Sequence, residues 1–314
     1  MPQGLTVIDV CSHVYYTLHL YLGKHAGEVS KERTLLKNRL MHAIVQSMLL
    51  SGPLFVHPFA ERKVATHVDL DPQWPVMKIE NLHPWDLSLM QAISLQKELA
   101  KRLRDASFPL SAARLVGGID VSSSKESSLL TAGVVIWNSD TGAVEEAVFA
   151  QRESAMPYVT GLLSFREIPA ITEALKKVTV QPDIFLVDGQ GRAHPRSLGI
   201  AAHLGLLLSV PTVGVGKSKL MGEEEEPGSH VGDKTPLIQK GETVGYVLRT
   251  REGVKPLYIS AGNNITLHDS VAVVLKCVRG YRLPEPTRLA HMHVNLARMT
   301  GRGLQVSGAS LAIN

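Results

Sequence analysis

The stretch that most constrains this chain is Leu186-Val187-Asp188-Gly189-Gln190-Gly191-Arg192-Ala193-His194-Pro195-Arg196, where an apolar run ends in a carboxylate, two glycines and a cationic cluster. Residues 184–187 read as a buried strand. The apolar pattern of 197–208 reads as a helix, which makes the whole a strand-loop-helix unit of an α/β sheet. Such sheets bind ligands beyond the carboxyl ends of their strands. Asp188 is therefore placed where chemistry is usually done, although an Asp-Gly pair also makes a simple turn.

A second acid sits in another apolar run, Leu115-Val116-Gly117-Gly118-Ile119-Asp120-Val121-Ser122. A carboxylate in a buried strand needs a cation, a hydrogen-bonding shell or a metal. Two such acids on adjacent strands would form a hard oxygen site suited to Mg²⁺, with Mn²⁺ as the alternative ion. A third acid, Glu167, stands three residues after Ser164, the spacing of a helix capping box. The loop before it, Pro157-Tyr158-Val159-Thr160-Gly161, presents Tyr158 as a stiff aromatic able to stack on or wedge beside a base, or to fold back onto the protein.

Five ordered segments resemble the endonuclease V family: Gly118–Ser122, Pro157–Glu167, Val187-Asp188-Gly189 with His194-Pro195-Arg196, Gly214-Val215-Gly216-Lys217, and Gly280–Arg288. The resemblance spans roughly residues 84 to 298. It implies an α/β, RNase H-like fold with a mixed central sheet flanked by helices. It also implies an Mg²⁺-dependent endonuclease that leaves 5′-phosphate ends by nicking DNA at the second phosphodiester bond 3′ to deoxyinosine, in repair of deaminated adenine. By motif, Asp120, Asp188 and Glu167 would hold the metal, Lys217 would stand near the scissile phosphate, and His194 would be the histidine that follows the aspartate motif. Tyr158 matches the aromatic wedge, but Thr160 replaces a usual proline, so a less rigid loop is expected.

Another departure is Asn263, where many members carry a histidine. Asparagine hydrogen-bonds but does not shuttle protons near neutral pH. Water activation would then fall to Asn263 as a hydrogen-bond partner, with His194 or Lys217 taking the proton. Base selection is expected from close backbone approach around Gly161–Leu163 and Gly189–Gly191, where a tight pocket would reject the exocyclic amine of guanine.

The remaining sequence sets wider bounds. With 33 Lys+Arg against 29 Asp+Glu, the net charge of +4 is mildly favourable to a polyanion. Lys276 and the arginines at 279, 282, 288, 298 and 302 could track a phosphate backbone or form a solvated helix face. Cys11 and Cys277 give no disulfide framework. No apolar run reaches the ~20 residues of a membrane span and no leader pattern opens the chain, so a cytoplasmic monomer without a membrane partner is expected.

Three strand-like runs, Leu115–Ser122, Leu129–Trp137 and Ala143–Glu153, predict an antiparallel meander, and alternating helices and strands from Ser164 to Gly216 predict parallel additions. Residues 1–83 read as an extension of unassigned role, with a strand at Leu5–Val10 and a helix at Leu35–Leu50. The catalytic domain reads as 84–302 and the tail as 303–314. The rival functions are a nuclease acting on inosine-containing RNA and a nucleic-acid-binding protein of the same fold whose chemistry Asn263 has impaired.

Overall fold

The runs that alternate or fill with Val, Ile and Leu become eight strands of one sheet. The computed structural model describes residues 77–123, 128–307 and 310–312. The strand expected at Leu5–Val10 and the helix at Leu35–Leu50 lie outside them. Strands β1 (Leu115–Ser123), β2 (Leu129–Asn138) and β3 (Val144–Glu153) form the antiparallel meander. Strands β4 (Ile184–Asp188) and β5 (Thr212–Gly216) add in parallel beyond β1. Three antiparallel strands, β6 (Lys234–Gln239), β7 (Glu242–Leu248) and β8 (Leu257–Ala261), complete the order β3-β2-β1-β4-β5-β8-β7-β6.

Period-two alternation splits the core between the two faces of the sheet. On one face Ile119, Phe185 and Val187 pack with α2 (Leu163–Leu175) and α3 (Ile200–Leu207). On the other, Val116, Leu186 and Val213 pack with α4 (Leu267–Lys276) and α5 (Glu285–Thr300). Helix α1 (Leu89–Ala100) opens with a complete capping box between Ser88 and Gln91. Among the described residues, no helix is long and apolar enough to cross a membrane.

Residues 77–83, expected to belong to the extension, pack into this fold. Ile79 bridges Leu208, and Met77 joins the core on the α2 and α3 face. The β6–β7 hairpin has no counterpart among the expected elements. Its turn, Lys240-Gly241, has φ of 51° and 81°, the paired positive values of a two-residue type I′ connection. The acidic run Glu223–Glu226 is tied to the sheet, since Glu224 accepts from the Tyr258 hydroxyl at 3.0 Å and Glu226 pairs with Arg249 at 2.5 Å.

A buried histidine pair ties α2 and α3 to residues 77–85. His83 Nδ1 lies 2.7 Å from the Pro84 carbonyl and therefore carries the proton that it donates. Its Nε2 must then accept from His203 Nε2, 2.8 Å away, which leaves His203 Nδ1 to accept from the Ser164 hydroxyl at 3.1 Å. Both rings are neutral in this chain. Burial pushes His203 down to about 3, and a proton on His83 would act in the same direction.

The unfolded chain takes up a proton at this position near pH 6.5 and the folded one does not. Stability from this site is therefore complete above pH 6.5 and declines as pH falls toward 3, by up to ~1.4 kcal/mol per unit. The melting temperature should fall more between pH 7.5 and 5.0 in the native protein than in His203→Gln, whose amide can still accept from Ser164 and donate to His83. Equal slopes would remove His203 as a source of acid sensitivity.

Candidate active site

The register of β1 against β4 builds the site. Ile119 pairs with Val187 in parallel, so the next residues, Asp120 and Asp188, stand side by side at the carboxyl ends of their strands. Both belong to the alternation opposite Ile119 and Val187, the face covered by α5. From that helix His291 brings Nδ1 within 2.7 Å of Asp120 Oδ2. The Asn295 amide nitrogen donates to the His291 carbonyl at 2.8 Å and lies over the ring, 3.2 Å from Nε2 and 3.5 Å from Nδ1, so the acceptor-only Asp120 carboxylate is what calls for the proton on Nδ1. Lys217, following β5, pairs with Asp188 and lies 3.4 Å from His291 Nδ1.

Asp120, Asp188 and His291 each offer a ligand atom, and these atoms lie within 4.8 Å of one another. Burial alone would raise Asp120. The His291 hydrogen bond, the Lys217 charge and the Asp188 hydrogen bond outweigh it and hold Asp120 below its ordinary value. Asp188 is pushed up to about 7 by burial and then by the Asp120 charge. Glu167 on α2 is pushed up to about 8 by burial, then by the charges of Asp120 and Asp188. Lys217 moves up because both aspartates outweigh its burial. Crowded carboxyl groups whose charges are mutually unfavourable fit a hard divalent cation, which would let all of them ionise together.

The Glu167 geometry also decides between cap and site. The N-cap of helix α2 is Leu162, which supplies no side-chain cap, and Ser164 is engaged by His203 instead. Glu167 is left to line the cleft, outside the tight Asp120–Asp188–His291 group.

That cleft, of about 280 Å³, is lined by Asp120, Glu167, Asp188, Lys217 and His194, and by Tyr158, Gly161, Leu163 and Gly189 of the expected substrate contacts. Tyr158 is 71% exposed at its rim. The loop is anchored at its Gly161 end. The Gly161 carbonyl accepts from Gln96 Nε2 at 3.0 Å, Arg196 Nη2 at 2.8 Å and His194 Nε2 at 3.1 Å. Gly161 also has φ of 82°, where a side chain would be strained.

These contacts correct the acid-base part expected of His194. Its Nε2–H donates to Gly161 and its Nδ1 accepts from the Arg196 amide at 3.2 Å, so neither nitrogen is free for water. Burial and the Arg196 charge hold it down at about 4. His194 is thus tied through Nε2 to the Gly161 carbonyl that ends the Tyr158 loop.

Two further expectations are corrected. Asn263 is buried, its Nδ2 donating to the Gly205 carbonyl at 2.9 Å and its Oδ1 accepting from the Arg104 amide at 2.9 Å. It does not line the cleft and cannot order water there. Gly191 is also outside the lining; a Cβ there would lie 2.2 Å from the Ala261 carbonyl oxygen, so its close approach is to β8, not to a base. His291 was absent from the expected residues. The signal that could have found it is the polar stripe His291, Asn295, Arg298 on a helix whose other face holds Leu289, Ala290, Val294 and Ala297.

With this geometry in hand, the sequence profile of the endonuclease V family matches residues 97–292. The chain belongs to the endonuclease V family. The endonuclease V of Trichormus variabilis is 45% identical over 214 residues, which cover 68% of this chain and 97% of that protein. The solved endonuclease V of Bacillus subtilis superposes with a TM-score of 0.68 at 32% identity, covering 71% of this chain and 98% of that one. The Ciona intestinalis endonuclease V gives a TM-score of 0.61 at 28% identity, covering 68% of this chain and 99% of that one. It was solved with a 24mer DNA containing an inosine followed by a ribo-adenosine. The fold is RNase H-like, as the resemblance implied, and membership in the endonuclease V family makes the chain a hydrolase of the endonuclease class.

Proposed function

We propose that this protein is an Mg²⁺-dependent endonuclease that nicks DNA at the second phosphodiester bond 3′ to deoxyinosine, in repair of deaminated adenine. The observation that carries this reading is the convergence of Asp120, Asp188 and His291 beside Lys217, at a cleft that the two aspartates and the lysine line and an exposed tyrosine rims. Asp120, Asp188 and His291 would hold the ion, with Glu167 facing it across the cleft. Such an ion supplies positive charge for the attacking water and the departing 3′ oxygen. Mn²⁺ would satisfy the same donors.

The chain's own groups do the rest. Lys217, oriented by Asp188, meets the charge that builds on the non-bridging oxygens. Backbone at Gly161, Leu163 and Gly189 closes around the flipped base, where hypoxanthine fits and the guanine amine collides. Tyr158 enters the gap that the base leaves. The catalytic unit takes in residues 77–302, with the extension before it and the short tail after it.

The relative solved on an inosine followed by a ribo-adenosine favours a second reading, in which the sugar 3′ to inosine, and so inosine-containing RNA, matters here too. End-labelled duplexes carrying deoxyinosine, ribo-inosine or guanine at one position, and a ribose or deoxyribose after it, separate the readings. The expected product is a nick immediately 3′ to the nucleotide that follows inosine, present with Mg²⁺ and absent with chelator. Equal nicking of the guanine strand would overturn the base assignment.

Replacing Tyr158 with alanine should cut nicking at low strand concentration about tenfold or more, since base-aromatic stacking is worth ~1–3 kcal/mol. Tyr158→Phe should keep most of it. Titrating the labelled strand at fixed enzyme reads both, and an Ala variant that matches the Phe variant would take the wedge away from Tyr158.

A further inference from the structure

A polar strip leads away from the metal-ligating group and is not used by the chemistry above. Asp120 and Ser122 stand two residues apart on β1 and share a face. His291, Asn295 and Arg298 stand at i, i+4 and i+7 on α5 and share another. The two rows are zipped together. His291 meets Asp120, the Ser122 hydroxyl donates to Asn295 Oδ1 at 3.0 Å, and Arg298 Nε donates to Ser122 Oγ at 2.9 Å.

This arrangement sets Arg298 apart from the arginines before it. Arg279 caps the Lys276 carbonyl at 2.7 Å and covers the Trp137 ring, Arg282 donates to the carbonyls of Lys255, Pro256 and Lys217, and Arg288 pairs with Glu285 at 2.7 Å. Arg298 is exposed and gripped by its Nε. Its Nη1 and Nη2 have no carboxylate or carbonyl partner among the described residues. A guanidinium fixed at its base and open at its fork is shaped for the paired oxygens of a phosphate. Seven helical residues put it about 10 Å along α5 from His291.

We infer that Arg298, oriented by Ser122 and Asn295, binds one backbone phosphate of the cleaved strand. That phosphate lies within about three nucleotides of the scissile bond, given ~3.4 Å of rise per nucleotide. The inference rests on the proposed function, because it places the strand in the cleft beside α5. Arg298 is a positioning residue: it holds the strand so that the scissile phosphate reaches Lys217 and does not touch the reacting atoms.

The test measures Kd for a deoxyinosine duplex from 50 to 200 mM salt, with Ca²⁺ in place of Mg²⁺ to prevent turnover, for the native protein, Arg298→Ala, Arg298→Lys and Arg114→Ala. Arg114 lies at the opposite end of β1, ion-paired with Asp140, and serves as the control. Arg298→Ala should weaken binding about tenfold and lower the slope of log K against log salt by about 0.9, the share of one phosphate contact. Arg298→Lys should keep the slope. Duplexes bearing a single methylphosphonate should show one position whose penalty in the native protein vanishes in Arg298→Ala, a change that a merely structural role would not produce.

An unchanged slope with the same methylphosphonate profile overturns the inference and leaves the proposed function standing if the native protein still nicks. A native protein that neither binds nor nicks the inosine duplex overturns both.

Discussion

Replacing Asp188 with asparagine will lower strand nicking by at least about 10³-fold while the fold remains intact. At 1.36 kcal/mol per decade this is a loss of ~4 kcal/mol of transition-state stabilisation, a magnitude that removal of a metal ligand can supply and a misplaced surface contact cannot. Asparagine keeps the shape at the end of β4 and drops the charge. Asp188 is raised to about 7 because it is buried beside Asp120, so neutralising it removes a repulsion within the Asp120–Glu167–Asp188 group. Lys217 loses one partner but keeps the field of Asp120.

The melting temperature without divalent ions should therefore be no lower than that of the native protein by more than a few degrees. Added Mg²⁺ should raise the native value by mass action and leave the variant where it was. Initial rates on a labelled inosine strand and melting curves with and without Mg²⁺ read both effects. Nicking within tenfold of native would show that Asp188 does not hold the ion.

Gly118→Ala should produce the largest loss of stability. An added Cβ would lie 1.9 Å from the Pro286 carbonyl oxygen and 2.2 Å from its carbonyl carbon, both backbone atoms that cannot swing aside. The strand would have to part from the start of α5. Overpacking of this kind costs about 3 kcal/mol or more. For a domain of this size that corresponds to a fall of roughly 6–12 °C in melting temperature.

Activity should fall with it, because the β1–α5 contact is what sets Asp120 against His291. As a comparison, a Cβ at Gly142 meets nothing within 4 Å and Gly142→Ala carries only the cost of its φ of 75°, about 1 kcal/mol. Thermal melts of the two variants compare backbone collision with backbone strain. A Gly118→Ala protein that melts within 2 °C of native would contradict the packing described here.

Both predictions draw on features that the sequence made readable in part. The meander was legible nearly to the residue because its strands are bounded by polar turns and their apolar residues cluster between them. Asp120 and Asp188 stood out as carboxylates at the ends of apolar runs, and strand register then placed them side by side. Glu167 was ambiguous, since a capping box and a cleft acid share the same spacing, and only the Ser164–His203 contact removed the cap.

His291 was hidden for a different reason. It lies on a helix 171 residues after Asp120 in the chain, on a face that read as part of a basic stripe. That stripe was itself only partly a surface, because Arg279, Arg282 and Arg288 turn back onto Trp137, backbone carbonyls and Glu285. Whether an arginine faces solvent depends on tertiary acceptors that no local pattern encodes. Asn263 and Gly191 misled for the same reason: each looked like a substrate contact and each closes a hydrogen bond or a packing gap beside β8.

In the function proposed above, Asp120 and Asp188 share a divalent ion with His291. The most direct measurement is anomalous diffraction from crystals of the protein soaked in Mn²⁺. A peak is expected between β1, β4 and α5, about 2.1 Å from a carboxylate oxygen of both aspartates and within reach of a His291 ring nitrogen. A protein that nicks inosine strands in Mn²⁺ yet shows no peak among these three side chains would contradict that assignment.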